Sequence, residues 1–168
     1  MTTETEFMRW ASCEEGQFFE RKSALDRSDS RTKQRPTKDI ARDIADTLAA
    51  MANADGGEMV IGIEDNGLIT GVPHPEDKVK LLLGVPTDRN YINPVLSCKS
   101  RVVLTPEGKK LLHFNVDWSP NVHQLADSRY LLRVRDANAP FRADQIAALK
   151  ATKSQGLLER SFPPGVRI

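Results

Sequence analysis

Carboxylates and arginines are what this chain offers to chemistry. Glu15 and Glu20 flank a turn that leads into a strand, Glu14-Glu15-Gly16-Gln17-Phe18-Phe19-Glu20-Arg21-Lys22, and Glu64-Asp65 stand at the exposed end of a second strand, in Ile61-Gly62-Ile63-Glu64-Asp65-Asn66-Gly67. Two or three carboxylates that meet at one point repel each other unless a cation neutralises them. Mg²⁺ and Mn²⁺ favour such oxygen ligands and keep several waters. A metal held this way orients or activates a water and stabilises charge on a phosphodiester in flight. Distance along the chain does not show that Glu15, Glu20 and Asp65 converge, and Glu64 and Asp65 are also ordinary hairpin-turn residues.

Other chemistries find no support. There is no Gly-x4-Gly-Lys-Ser/Thr stretch, and the glycines at 56–71 lack the dinucleotide-binding spacing, so ATP is not expected. His74, His113 and His123 have no close-spaced partners and read as surface or packing residues; with two cysteines, Cys13 and Cys98, zinc is not expected either. The cysteines resemble no disulfide framework, the polar, acidic start is no secretion signal and no apolar run approaches a membrane span, so the expected setting is the cytoplasm.

A net charge of +1 over 168 residues argues against a general polyanion binder, but the charge is uneven. Arg21, Lys22, Arg27, Arg31, Lys33, Arg35 and Lys38 are opposed only by Asp26 and Asp29 within 21–38, and Arg129, Arg133, Arg135 and Arg142 form a second group opposed by Asp136. Such clusters can track phosphates or can be solvated loops.

The elements that must position these groups can be read from periodicity. Ile40, Ile44 and Leu48, with Ala41, Ala45, Ala49 and Ala52 beside them, make the stripe of an amphipathic helix from Thr37 to Asn53, which Asp55-Gly56-Gly57 stops. Met59–Ile63 follows as a buried strand, turned at 65–67 into a partner at Leu68–Val72. In the first strand Phe18, Glu20 and Lys22 share one face and Phe19 and Arg21 the other, and a break at Gly16 lets Glu15 fold back toward Glu20. Residues 23–36 read as a mobile loop. A short helix opens at Pro75, strands span 94–104 and 110–118, and 130–135 alternates so that Leu132 and Val134 point inward while Arg133 and Arg135 face out. Ala143–Lys153 closes the fold as a helix. Together these give a chain of helices and short strands: an N-terminal arm at 1–13, one domain at 14–153, and a tail or linker at 154–168.

Three motifs carry a family resemblance. Glu15-x4-Glu20-x-Lys22, then Ala49-x2-Ala52-Asn53-x2-Gly56-Gly57-x3-Ile61-Gly62-Ile63-Glu64-Asp65-x-Gly67-x3-Gly71, then Tyr130-x2-Arg133-x4-Asn138 resemble the AlbA_2, or Schlafen-type, nucleic-acid-binding domain over about residues 14–150. The resemblance implies an α+β fold, a mixed, mostly antiparallel sheet with a few packed helices in a single domain, and a nucleic-acid partner. In the Schlafen branch it implies a Mg²⁺- or Mn²⁺-dependent endoribonuclease acting on structured RNA such as tRNA, RNA being favoured over DNA. Glu15, Glu20 and Asp65 would then be its catalytic, metal-holding carboxylates, with Glu64 a near alternative. Lys22, Arg31, Lys33, Arg35, Arg133 and Arg135 would hold the phosphate backbone. Arg21 departs from the aromatic or apolar residue usual there, and the zinc-binding set of the vertebrate Schlafens has no counterpart. Those proteins clamp RNA between two copies of the domain, which a homodimer of this chain would rebuild. In bacterial relatives the domain also heads transcriptional regulators, which implies the alternative of a DNA- or RNA-binding module without chemistry.

Overall fold

A computed structural model of the chain describes residues 3–28 and 30–160; Asp29 and the last eight residues of the expected tail lie outside the described residues. In chain order the elements are α1 (Thr3–Ser12), β1 (Phe19–Lys22), β2 (Leu25–Asp26), β3 (Lys33–Gln34), α2 (Thr37–Asn53), β4 (Gly56–Ile61), α3 (Glu76–Gly84), β5 (Ile92–Asn93), β6 (Cys98–Leu104), β7 (Lys110–Asp117), β8 (Gln124–Leu125), β9 (Leu131–Val134), β10 (Ala137–Pro140) and α4 (Ala143–Arg160). The fold is α+β. A four-stranded sheet in the order β1-β4-β7-β6 is antiparallel except where β1 runs parallel to β4.

Helices cover both faces of this sheet, which is why Met59, Val60 and Ile61 of β4 are all buried rather than alternating. Met59 and Ile61 join Leu112, Phe114 and the apolar stripe of α2 in the main core. Val60, Phe19 and Leu111 point the other way, into a smaller cluster closed by Phe7 and Trp10 of α1. The N-terminal arm is thus a docked helix. It buries Phe7 and Trp10 but leaves Met8 exposed.

Four expectations are corrected. The partner strand at Leu68–Val72 does not form; Ile63 and Ile69 make a single bridge, while Thr70 and Gly71 both donate their N–H to the carbonyl of Gly62. Gly62 has φ +114°, and a Cβ there would lie 2.8 Å from Leu111 and 3.2 Å from the Gly71 backbone, so the chain crosses itself where a ladder would need room. The stretch 23–36 contains a short ribbon, β2 against β3. α4 does not end at Lys153 but continues to Arg160, with Lys153 buried and donating to the carbonyls of Ala52 and Ser119. The inward and outward faces of β9 are the reverse of those expected. Leu131 and Arg133 are buried and Val134 is exposed, because the Arg133 guanidinium has a buried carboxylate to meet.

Candidate functional site

The site is built at the free edge of β1. Glu20 stands opposite Met59 in the parallel register and so points to the α2 side of the sheet. Arg133 approaches it from β9. Its Nη2 donates to Glu20 Oε2 at 2.6 Å and to the carbonyl of Gly16 at 2.9 Å, Nε donates to Gly16 at 3.1 Å, and Nη1 donates to Asn138 Oδ1 at 2.8 Å. The two side chains are 1% and 6% exposed, Arg133 and Glu20 respectively, so this is a buried ion pair. Arg133, expected to grip phosphate, instead fixes Glu20. Lys22 Nζ lies 3.5 Å from the other Glu20 oxygen and is 41% exposed.

Asparagines hold Arg133 in place. Asn53, at the last turn of α2, donates to the carbonyls of His123 and Leu131 and accepts from the His123 N–H at 2.7 Å, anchoring the start of β9. Asn138 on β10 receives Arg133 and donates to Thr47 of α2 at 3.0 Å. Gln17 completes the frame: its amide donates to the Arg133 carbonyl and accepts the Arg135 N–H.

Glu15 does fold back. The N–H of Gly16 donates to the Phe19 carbonyl at 3.0 Å, closing a tight turn that returns Glu15 to Glu20. Burial, then a hydrogen bond with Glu20, then the charges of Glu20 and Asp65 push the Glu15 carboxyl up to about 7, against a smaller opposing pull from Lys22. Of the three carboxylates expected to converge, Glu15 thus has both Glu20 and Asp65 among its neighbours. Glu64 is turned elsewhere: one of its oxygens meets Arg27 Nε at 3.1 Å, and the other, Oε2, is buried without a protein partner.

Asp65 is exposed, but its backbone is held. Buried Arg21, on the α1 face, donates through Nη1 to the carbonyls of Trp10 and Cys13 and through Nη2 to the carbonyl of Asp65 at 3.1 Å. One guanidinium thus ties the end of α1, the Glu15 turn and the Asp65 hairpin together. At Gly67, φ +90°, a Cβ would lie 2.5 Å from the Ala11 carbonyl, so only glycine lets the hairpin pack on α1. The motif positions gave no hint of this use of Arg21. Its signal was strand parity, which puts it beside Phe19 on the face that α1 covers.

A cleft of about 670 Å³ opens beside these groups, lined by Lys22, Arg27, Arg35, Asp43, Glu64 and Asp65 among others. Arg35 is paired there with Asp43 at 2.7 Å. Arg31 and Lys33 are exposed but do not line the cleft, and Arg135 is exposed on the β9–β10 turn with φ 58°. All three histidines are buried packing residues: His74 Nε2 donates to the Arg35 carbonyl, His113 meets Glu58, and His123 meets Ser119 and the Pro94 carbonyl. Among the described residues no three His, Cys, Asp or Glu side chains are arranged to hold a metal ion. Glu15, Glu20 and Asp65 offer oxygen donors only, the type a hard cation takes, and burial with acidic neighbours raises the Glu15 carboxyl.

A family model described as Schlafen, AlbA_2 matches residues 15–142. No curated protein matches the chain. Among solved structures it is similar to the DIP2311 protein of Corynebacterium diphtheriae, with a TM-score of 0.61 and 21% sequence identity over 89% of this chain. That likeness is one of fold, and the chain spans 28% of the DIP2311 chain. No helix among the described residues is long and apolar enough to cross a membrane.

Proposed function

The chain belongs to the Schlafen AlbA_2 family, which points to nucleic-acid binding, and from that premise we propose that it binds structured RNA such as tRNA and cuts it with the help of Mg²⁺ or Mn²⁺. The observation that carries this reading is the turn at Gly16 that returns Glu15 toward Glu20 beside a cleft lined by Asp65, Lys22, Arg27 and Arg35, with the Glu15 carboxyl raised by burial and by its two acidic neighbours in keeping with it. Groups crowded in this way either retain a proton or exchange it for a cation. Glu15, Glu20 and Asp65 would hold the ion, which when bound supplies charge neutralisation at the phosphate and an activated water.

The chain's own residues have separate tasks. Arg133 and Lys22 fix Glu20, Arg21 fixes the backbone on either side of the site, and Glu15 holds or releases a proton near neutral pH. Lys22, Arg27 and Arg35 face the backbone of the RNA from the cleft wall, and Arg31, Lys33 and Arg135 extend the contact outside it. A homodimer would present two such clefts to one RNA. Light scattering with RNA bound reads the mass, and a monomer would remove the dimer from the proposal.

Incubation of a tRNA pool with Mn²⁺ tests the reaction. Metal-dependent cutting is expected in the wild type, with a loss of 100-fold or more, roughly the scale of removing one group of a catalytic set, in Glu15→Gln and in Asp65→Asn. Cutting that survives both substitutions, or that needs no metal, would sink the nuclease. A second reading has its own support: both oxygens of Glu20 already have cationic partners in Arg133 and Lys22. In that reading the domain binds DNA or RNA without chemistry, and the same assay returns intact tRNA bound in a salt-sensitive complex.

A further inference from the structure

We infer that the cleft between residues 70–74 and the turn at 108–110 is a second seat for backbone phosphate, supplied by Lys109 and Lys110. The inference rests on the nucleic-acid binding proposed above and says where else the polyanion touches the chain. The cleft encloses about 320 Å³ between Thr70, Gly71, Val72, Pro73, His74, Gly108, Lys109 and Lys110, the lower end of the range for ligand-sized clefts.

Its charge sets it apart. No carboxylate lines it, whereas the large cleft carries Asp43, Glu64 and Asp65, the cleft beside Trp118 carries Asp55 and the cleft beside Cys98 carries Asp117. In the large cleft each cation already has an acidic partner: Lys22 has Glu20, Arg27 has Glu64 and Arg35 has Asp43. Among the described residues the Lys109 ammonium donates only to the carbonyl of Ile69, at 3.1 Å, which leaves two of its protons, and Lys110 forms no ion pair. Glu107, in the same turn, is exposed and does not line the cleft. Positive charge that the protein does not neutralise is what a phosphate backbone seeks, since each phosphate so paired releases condensed counterions.

The cleft is also rigidly placed relative to the carboxylates. Gly71 has φ +81°, and a Cβ there would lie 3.0 Å from that of Lys109, so glycine lets the turn at 108–110 close against this segment. The N–H of Val72 donates to the Lys110 carbonyl at 2.8 Å. His74, buried in the wall, bonds through Nε2 to the carbonyl of Arg35 at 2.7 Å and so links this cleft to a residue of the larger one. Asp65 and Gly71 belong to the same hairpin. The intervening residues span at most about 21 Å, or roughly six steps of a nucleic-acid strand at about 3.4 Å each, so one strand can meet both places.

Fluorescence anisotropy of a labelled tRNA over a series of KCl concentrations tests this with the full chain. Lys109→Gln/Lys110→Gln is expected to weaken binding and to flatten the slope of log K against log salt by about 1.4–1.8, two phosphates at roughly 0.7–0.9 each. The paired substitution Lys78→Gln/Lys80→Gln on α3 is expected to leave the slope unchanged. Lys110→Gln alone, should the double variant lose its circular dichroism signal, is expected to flatten it by about half as much. A slope unchanged in folded variants, while the wild type binds, overturns this inference alone. A wild type whose binding does not depend on salt overturns the nucleic-acid reading and this seat with it.

Discussion

Glu58 and Glu20 sit on neighbouring strands of one sheet and face opposite helices, and their surroundings resolve the same problem in opposite ways. On the α1 face, Glu58 receives His113 Nε2 at 2.8 Å and Arg9 Nη1 at 2.7 Å, with Trp10 stacked on the His113 ring at a centroid distance of 4.5 Å. Burial alone would raise this carboxyl, but the hydrogen bonds from His113 and Arg9 outweigh it and hold it at about 2. On the α2 side, Arg133 satisfies Glu20 and leaves Glu15 pressed against fellow carboxylates, at about 7. One cluster has every charge answered and serves to dock a helix. The other leaves Glu15 half-buried beside acidic neighbours, with only the weaker pull of Lys22 against them, the kind of imbalance the proposed function draws on.

The largest expected effect comes from cutting the one strong pair in the Glu15–Glu20 cluster. Arg133→Met leaves Glu20 buried without its guanidinium and should lower stability by about 3–5 kcal/mol, the usual cost of removing one partner of a buried pair. Urea unfolding measures it. A loss below about 1 kcal/mol would mean that Glu20 escapes to solvent or takes up a proton cheaply, and the contrast with Glu58 would narrow.

The next effect belongs to the satisfied cluster and appears in acid. Glu58 is held below its ordinary value of 4.5, so the stability it contributes is present above pH 4.5 and is lost as pH falls toward 2. With Arg9 partly exposed, the loss should be about 2–3 kcal/mol. Glu58→Gln should be less stable than wild type at pH 7 and should have a flatter acid limb between pH 4.5 and 2. An unchanged acid limb in that variant would assign the acid sensitivity to other carboxylates.

These two clusters were not equally legible in the sequence. Helix α2 was readable to its end residues because a small-residue stripe, a proline start and a double-glycine stop agree. The parity of β1 was readable too, since Phe19 and Arg21 do share the α1 face, and the break at Gly16 foretold the return of Glu15. What could not be read was any feature that depends on which segments meet. Leu132 and Val134 alternate with arginines as a half-buried strand should, yet a buried carboxylate from a segment over a hundred residues earlier draws Arg133 inward and turns Val134 out. The Glu58–His113–Trp10 cluster was missed for the same reason: its members lie on α1, β4 and β7, and no local spacing joins them. Short strands such as β10, Ala-Asn-Ala-Pro, carry too little apolar pattern to announce themselves.

The smallest effect is the most discriminating, because it asks whether the imbalance of charge at Glu15 is real. A carboxyl whose folded-state value is raised from 4.5 to about 7 binds its proton more tightly in the folded chain than in the unfolded one. It therefore costs stability as pH rises from about 4.5 through 7, and costs nothing below that window. Glu15→Gln removes the cost, so the variant should melt a few degrees above wild type at pH 8, the scale of a change of about 1 kcal/mol, and level with it at pH 4.5. Mn²⁺ at pH 8 should raise the melting temperature of the wild type, because the ion replaces the missing positive charge, and should do much less for Glu15→Gln. Equal melting temperatures at both pH values would mean that Glu15 is as well served as Glu58. A gain from Mn²⁺ equal in the two proteins would mean that the ion binds elsewhere.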